Sequence, residues 1–197
     1  MKIFDTLLGR TKPVKANLDA LFALPGASIT LESALTVVGS GSAGVCVSPG
    51  AARSFEDAWS ELKTLVTPDN TSSEPKVVTD SFDYRWIVLD APDLDSLVTN
   101  AHMVNSTLQE AGWGPQLLCS VFGFKVKDSS GGLTPGTSIY LVYLFKRGTF
   151  YPFVPTAKEK RDNEVEMRLK AILGDDIPIE SDLTKWFPLW DLPVKAG

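Results

Sequence analysis

Hydrophobic and polar positions follow two rhythms along this chain, and the switch from one to the other marks its elements. Phe55, Ala58, Trp59, Leu62, Leu65 and Val66 recur every three or four residues. Ser54-Phe55-Glu56-Asp57 in front of them has the form of a capping box, so a helix is predicted over Ser54–Val66. Lys76–Asp80 and Tyr84–Asp90 read as strands around a tight turn near Phe82-Asp83, a hairpin. Asp90-Ala91-Pro92 then opens the longest helix, Pro92–Ala111, because proline suits a first turn and Leu94, Leu97, Val98, Ala101, Val104 and Leu108 keep helical spacing. Gln116–Val126 and Ser138–Lys146 are apolar at alternate and at intervening positions, as in central strands of a sheet covered on both faces. Phe150–Val154 contains Pro152, which has no N–H to give to a ladder, and belongs at a sheet edge. Asp162 or Asn163 caps a last helix through Leu173, stopped by Gly174.

The remaining segments are less regular. Met1–Leu8 makes two helical turns with Ile3, Phe4, Leu7 and Leu8 on one side, closed by Gly9 and followed by Arg10, Lys12 and Lys15. Eight residues do not hold a helix in water unaided, so this segment needs a surface. Asn17 caps Leu18–Leu24, and Pro25-Gly26 is expected to end that helix. Ser28–Val38 fits neither period, Gly39–Gly44 reads as a flexible turn, and Val45–Ser48 as a short strand. The tail Ile177–Pro193 carries Trp186, Phe187 and Trp190 and must pack somewhere. Together these elements predict a two-layer α+β fold: a mostly antiparallel sheet with helices packed largely on one face, similar by analogy to secretion chaperones. Residues 1–27 are expected to form an N-terminal helical arm and residues 28–197 a single domain that includes the aromatic tail.

Composition narrows the function classes. With 197 residues, 44% hydrophobic and 22% charged, the chain can bury one good core. Its net charge of −5, from 19 Lys+Arg against 24 Asp+Glu, argues against a nucleic-acid footprint. No stretch approaches the ~20 apolar residues of a membrane span and the N-terminus lacks a signal-peptide pattern, so a cytoplasmic protein is expected. Cys46 and Cys119 lie in apolar runs and read as core thiols.

Catalytic signatures are missing. The single histidine, His102, follows the apolar helix position Ala101 with no partner at ligand spacing and reads as a half-buried structural residue. Gly39-Ser40-Gly41-Ser42-Ala43-Gly44 matches G-x-G-x-x-G in letters, but a strand follows it, where phosphate binding needs a helix N-terminus. Asp175, Asp176, Glu180 and Asp182 lack the spacing of a calcium loop and read as a solvated turn. No metal, cofactor or catalytic residue is therefore expected. Two surfaces remain. Lys146, Arg147, Phe150, Tyr151 and Phe153 form a basic, aromatic strip on or beside an edge strand. It is either a partner-binding surface or core covered by Trp186–Trp190. Ile3, Phe4, Leu7, Leu8 and Arg10 could lie weakly on an anionic membrane surface or dock on the domain.

Five stretches, from Met1 to Pro13, Asn17 to Pro25, Gly114 to Cys119, Tyr143 to Phe153 and Lys185 to Trp190, resemble the bacterial PspAB family, proteins associated with phage-shock protein A. The similarity runs nearly end to end. It implies a place in envelope-stress systems, near a membrane-remodelling coiled-coil protein and, in some settings, a membrane zinc metalloprotease. It supplies no catalytic residues. The expected function is a non-enzymatic adaptor or regulator on the cytoplasmic side of the membrane, binding phage-shock protein A or the metalloprotease through the Lys146–Phe153 edge. The alternatives are a small-ligand or metal-binding protein or enzyme, and a peripheral membrane binder.

Overall fold

The structure is a computed structural model that describes residues 16–49, 74–157 and 159–196, together with the helical residues Phe55, Trp59, Ser60 and Lys63. The expected helix over Met1–Leu8, with Ile3, Phe4, Leu7, Leu8 and Arg10, lies outside these residues.

A short 3-10 turn, Leu18–Ala23, runs directly into helix α1 (Leu24–Leu35). Pro25-Gly26 thus opens a helix instead of ending one. Pro25 sits in the first turn, where a missing N–H breaks no bond, and Thr36 closes the helix in the left-handed conformation. Leu18, Leu21, Leu24, Ala27, Leu31 and Leu35 face the main core. Leu18–Leu35 is long and apolar enough to cross a membrane, yet its apolar stripe packs against the sheet. The expected boundary at residue 27 falls inside α1, and residues 18–27 are built into the same core as the strands.

Strand β1 (Val37–Val47) is followed by β2 (Lys76–Thr79), β3 (Arg85–Asp90), helix α2 (Leu94–Leu108), β4 (Leu117–Val126), β5 (Ser138–Leu144) and β6 (Thr149–Phe153). All neighbours pair antiparallel in one six-stranded sheet of order β2-β3-β1-β4-β5-β6. A small ribbon of β7 (Pro155–Ala157) and β8 (Lys160–Arg161) leads to helix α3 (Asn163–Leu173). Asp93 caps α2 by accepting the Ser96 N–H, and Asp162 caps α3 by accepting that of Val165. The α+β class, the hairpin, the two long apolar strands and these helices stand as the periodicity predicts.

Helices α1 and α2 lie on β1, and α3 packs on α1 and β6, so one face of the sheet is covered by helices. No helix among the described residues covers the other face. The C-terminal tail does: Trp186, Val194 and Ala196 are buried there with Trp86, Val121, Tyr140, Val142, Tyr151 and Phe153. The glycine motif finds its reason here. Residues 39–44 belong to β1, with a bulge between Gly39 and Ala43, and are not a free turn. Gly44 and Gly123 form a strip without side chains that the tail crosses. A Cβ on Gly44 would stand 2.8 Å from Cγ2 of Val194, and one on Gly123 would overlap the Lys195 carbonyl oxygen. Ser40 donates to that same carbonyl (2.6 Å), and Tyr140 donates to the Val194 carbonyl (3.2 Å).

Gly123→Ala is therefore expected to lift the tail from the sheet. The overlap is with backbone, which yields less readily than a side chain, so the cost should be about 2 kcal/mol. A lower melting temperature together with faster proteolysis after Lys185 is the expected result, checked by calorimetry and limited trypsin digestion.

Candidate functional site

The aromatic, basic strip is divided by the fold. Phe150 enters the helix-covered core against Tyr143, with ring centroids 5.2 Å apart. Tyr151 and Phe153 point to the opposite face, where the tail covers them. Tyr151 stacks on Trp186 (5.8 Å) and donates its hydroxyl to the Phe187 carbonyl (2.8 Å), while Phe153 meets Trp190 edge-on (5.3 Å). Burial pushes the Tyr151 phenol far above its ordinary range, so it stays protonated and keeps donating. The edge of β6 is also occupied: Phe150 donates its N–H to Pro178 (2.8 Å) and accepts from Glu180 (2.7 Å), as a parallel bridge to Ile179. Phe150, Tyr151 and Phe153 are thus interior side chains, and of the strip only Lys146 and Arg147, on the β5–β6 turn, are exposed.

Arg147 is itself engaged. Its guanidinium forks onto the buried Glu180 carboxylate through Nε and through an end nitrogen at 2.9 Å, and Thr149 donates to the same carboxylate (2.8 Å). The Asp182 N–H adds a fourth bond at 2.9 Å. Arg147 first, with help from the other donors, holds the Glu180 carboxyl at about 2, well below the ordinary 4.5. The expected solvated turn of acidic residues therefore has a buried anchor in Glu180. A second clamp lies deeper. Arg161 spreads over the Phe153 ring (5.2 Å), pairs with Glu166 (2.8 Å) and donates to the Trp186 carbonyl (2.8 Å). Glu166 also accepts the Val154 N–H (2.9 Å), and burial pushes its carboxyl up. His102 stacks beside Phe22 (4.9 Å), 3.9 Å from the Asp19 carboxylate, a structural setting. Among the described residues no group of three or more His, Cys, Asp or Glu side chains is placed to hold a metal ion.

An open groove lies on the tail-covered face, with a volume of about 460 Å³. One wall is the β2–β3 turn, with Phe82 and Tyr84; the other is the tail at Phe187–Trp190. Its floor is apolar: Trp86, Leu118, Leu144, Tyr151 and the two thiols, Cys46 and Cys119. Asp80 sets the turn. Its Oδ1 accepts the N–H groups of Phe82 (2.9 Å) and Tyr84 (3.0 Å), and its Oδ2 accepts the Trp86 indole N–H (2.9 Å). Phe82 and Phe187 stand 60% and 52% exposed on the two sides. Beside the groove, β2 is an edge strand with Val77 and Val78 partly in solvent. Sequence reading placed Phe82-Asp83 at a turn and Phe187 in a tail that must pack, but the groove exists only once hairpin and tail lie on the same sheet face.

Sheet, helices and groove define the class: an α+β protein whose second face carries an open apolar groove between a hairpin turn and a terminal strap. A family model described as PspA associated protein B (PspAB) matches residues 1–194, and the chain belongs to that family. Membership links it to phage-shock protein A and its system. No curated protein and no solved structure matches the chain.

Both clamps are open to test. Because the Glu180 carboxyl titrates lower in the folded chain than in the unfolded one, its contribution is complete above about pH 4.5 and is lost as pH falls toward about 2. Urea denaturation across that window should show stability falling more steeply in the native sequence than in Glu180→Gln. Glu166→Ala strands the Arg161 charge in the interior and should cost about 3 kcal/mol by the same assay at neutral pH.

Proposed function

We propose that this protein is a non-enzymatic adaptor or regulator of the phage-shock system, and that the groove holds an apolar segment of its phage-shock protein A partner. The observation that carries the reading is the placement of Phe82 and Phe187, more than half exposed, on either side of an apolar floor. Large aromatic side chains in water around a concave apolar surface gain from an occupant, and aromatic anchors dominate the energetics of protein interfaces. The family's description as PspA-associated supports a protein as that occupant. Lys146 and Arg147 lie on the β5–β6 turn, and Leu144 just before it lines the groove floor, so on this reading they supply peripheral charge and the strip's aromatics hold the fold. The protein works in the cytoplasm at the inner face of the membrane, where Met1–Arg10 adds weak surface contact and a membrane metalloprotease is the second partner.

The test is capture of purified phage-shock protein A by the tagged full-length chain. Phe82→Glu combined with Phe187→Glu changes two exposed positions and should leave the circular dichroism and melting temperature unaltered while reducing capture at least tenfold. Undiminished capture by that double variant would remove the groove from the account.

A further inference from the structure

The groove floor brings together two residues that are 73 positions apart in sequence. Cys46 on β1 and Cys119 on β4 are direct cross-strand partners. Ala91 donates its N–H to Gly41, so Gly41 and every second β1 residue after it bond toward β3, and the residues between, Cys46 among them, bond toward β4. Ser48, which donates to Gln116 on the β4 side, follows the same alternation. Cys46 and Cys119 are then a hydrogen-bonded antiparallel pair beside a register shift between Cys46 and Val47; in regular sheet such a pair has Cα atoms about 5.5 Å apart. That lies inside the roughly 4.4–6.8 Å Cα range of disulfides, and the facing Cβ atoms, about 5 Å apart, must draw together to the roughly 3.5–4.5 Å that the bond needs. Both thiols are free and both line the groove, with Cys119 6% and Cys46 3% exposed.

The geometry points to a modification site: Cys46 and Cys119 form a redox-active dithiol that a small two-electron oxidant of the peroxide class, entering by the groove, converts to an intrachain disulfide. Cys119, by a small margin the more exposed residue of the two, meets the oxidant first. As the thiolate it attacks one peroxide oxygen; an S–O bond forms, the O–O bond breaks and hydroxide leaves. The Cys46 sulfur then attacks the sulfenic sulfur of Cys119; the S–S bond forms, the S–O bond breaks and the departing hydroxide takes the Cys46 proton as water. In sum two thiols and one hydrogen peroxide give one disulfide and two waters, the two sulfurs losing two electrons to the peroxide oxygens. The Cys119 side chain, then burial, pushes the Cys46 thiol up from its ordinary range, which disfavours its thiolate. A partner thiol already in contact captures a sulfenic acid before a second oxidant molecule carries it up the ladder.

The proposal does not require the groove to hold a partner protein, and its test contains none. The full-length chain, reduced and desalted, is treated with hydrogen peroxide and followed by intact mass, thiol titration and peptide mapping. The expected product has lost two hydrogens in mass and both thiols together, maps as a Cys46–Cys119 cross-link, and returns to the starting mass with dithiothreitol. Cys46→Ala should instead accumulate oxygen on Cys119, and Cys119→Ala should lose the cross-link. Oxygen addition without a cross-link, disulfides between chains, or thiols that stay unreacted at a peroxide dose that oxidises the urea-unfolded chain would each overturn it.

Discussion

An antiparallel sheet that is apolar on both faces must be covered twice, and among the described residues helices cover it only once. The other covering is the segment 177–196, which crosses β1 and β4, seats Trp186 on Tyr151 and hydrogen-bonds the edge of β6. Each large aromatic side chain that this strap buries removes about 200 Å² from water, or about 5 kcal/mol, enough to offset ordering roughly three residues of backbone. The strap is therefore held by many modest contributions. Its polar fastenings are placed at intervals for the same reason: Glu180 to Arg147 near its start, the Trp186 carbonyl to Arg161 in the middle, and the Lys195 carbonyl to Ser40 at its end.

The same arrangement decides how much of the fold can be read from the sequence. The hairpin, α2, α3, β4 and β5 are written locally, as a period of two or of three to four residues with caps at the ends, and they stand where the pattern puts them. Strand β1 is not legible, because five of its 11 residues are glycine or serine. Its side chains are missing where the strap crosses, and a residue kept small for a partner 150 positions away has no local signature. α1 was obscured by Pro25, which reads as a stop when seen after an apolar run and as a start only when the following leucines are known to face a sheet.

The candidate sites show the same division between composition and pairing. The strip from Lys146 to Phe153 is conspicuous in sequence as aromatic and basic, yet its aromatics are those of a covered strand and its arginine is spoken for by Glu180, 33 residues later. Glu180 looked solvated because the turn around it is acidic. Phe82 and Phe187 carried no motif at all. They become a site through their position on opposite sides of a groove that two distant segments build, and the Cys46–Cys119 pair becomes chemistry only through strand register.

Order of synthesis follows from the strap. Every strand that it covers precedes it in the chain, and folding during synthesis proceeds from the N-terminal side as the chain emerges. The sheet can gather its helices before residues 177–196 are made, but its second face stays bare to the cellular milieu until they are. Until the strap docks, that face is the kind of exposed apolar surface that makes partly folded chains prone to aggregate. A chaperone, or a binding partner met during translation, would find at that stage an apolar surface much broader than the groove that remains in the finished protein.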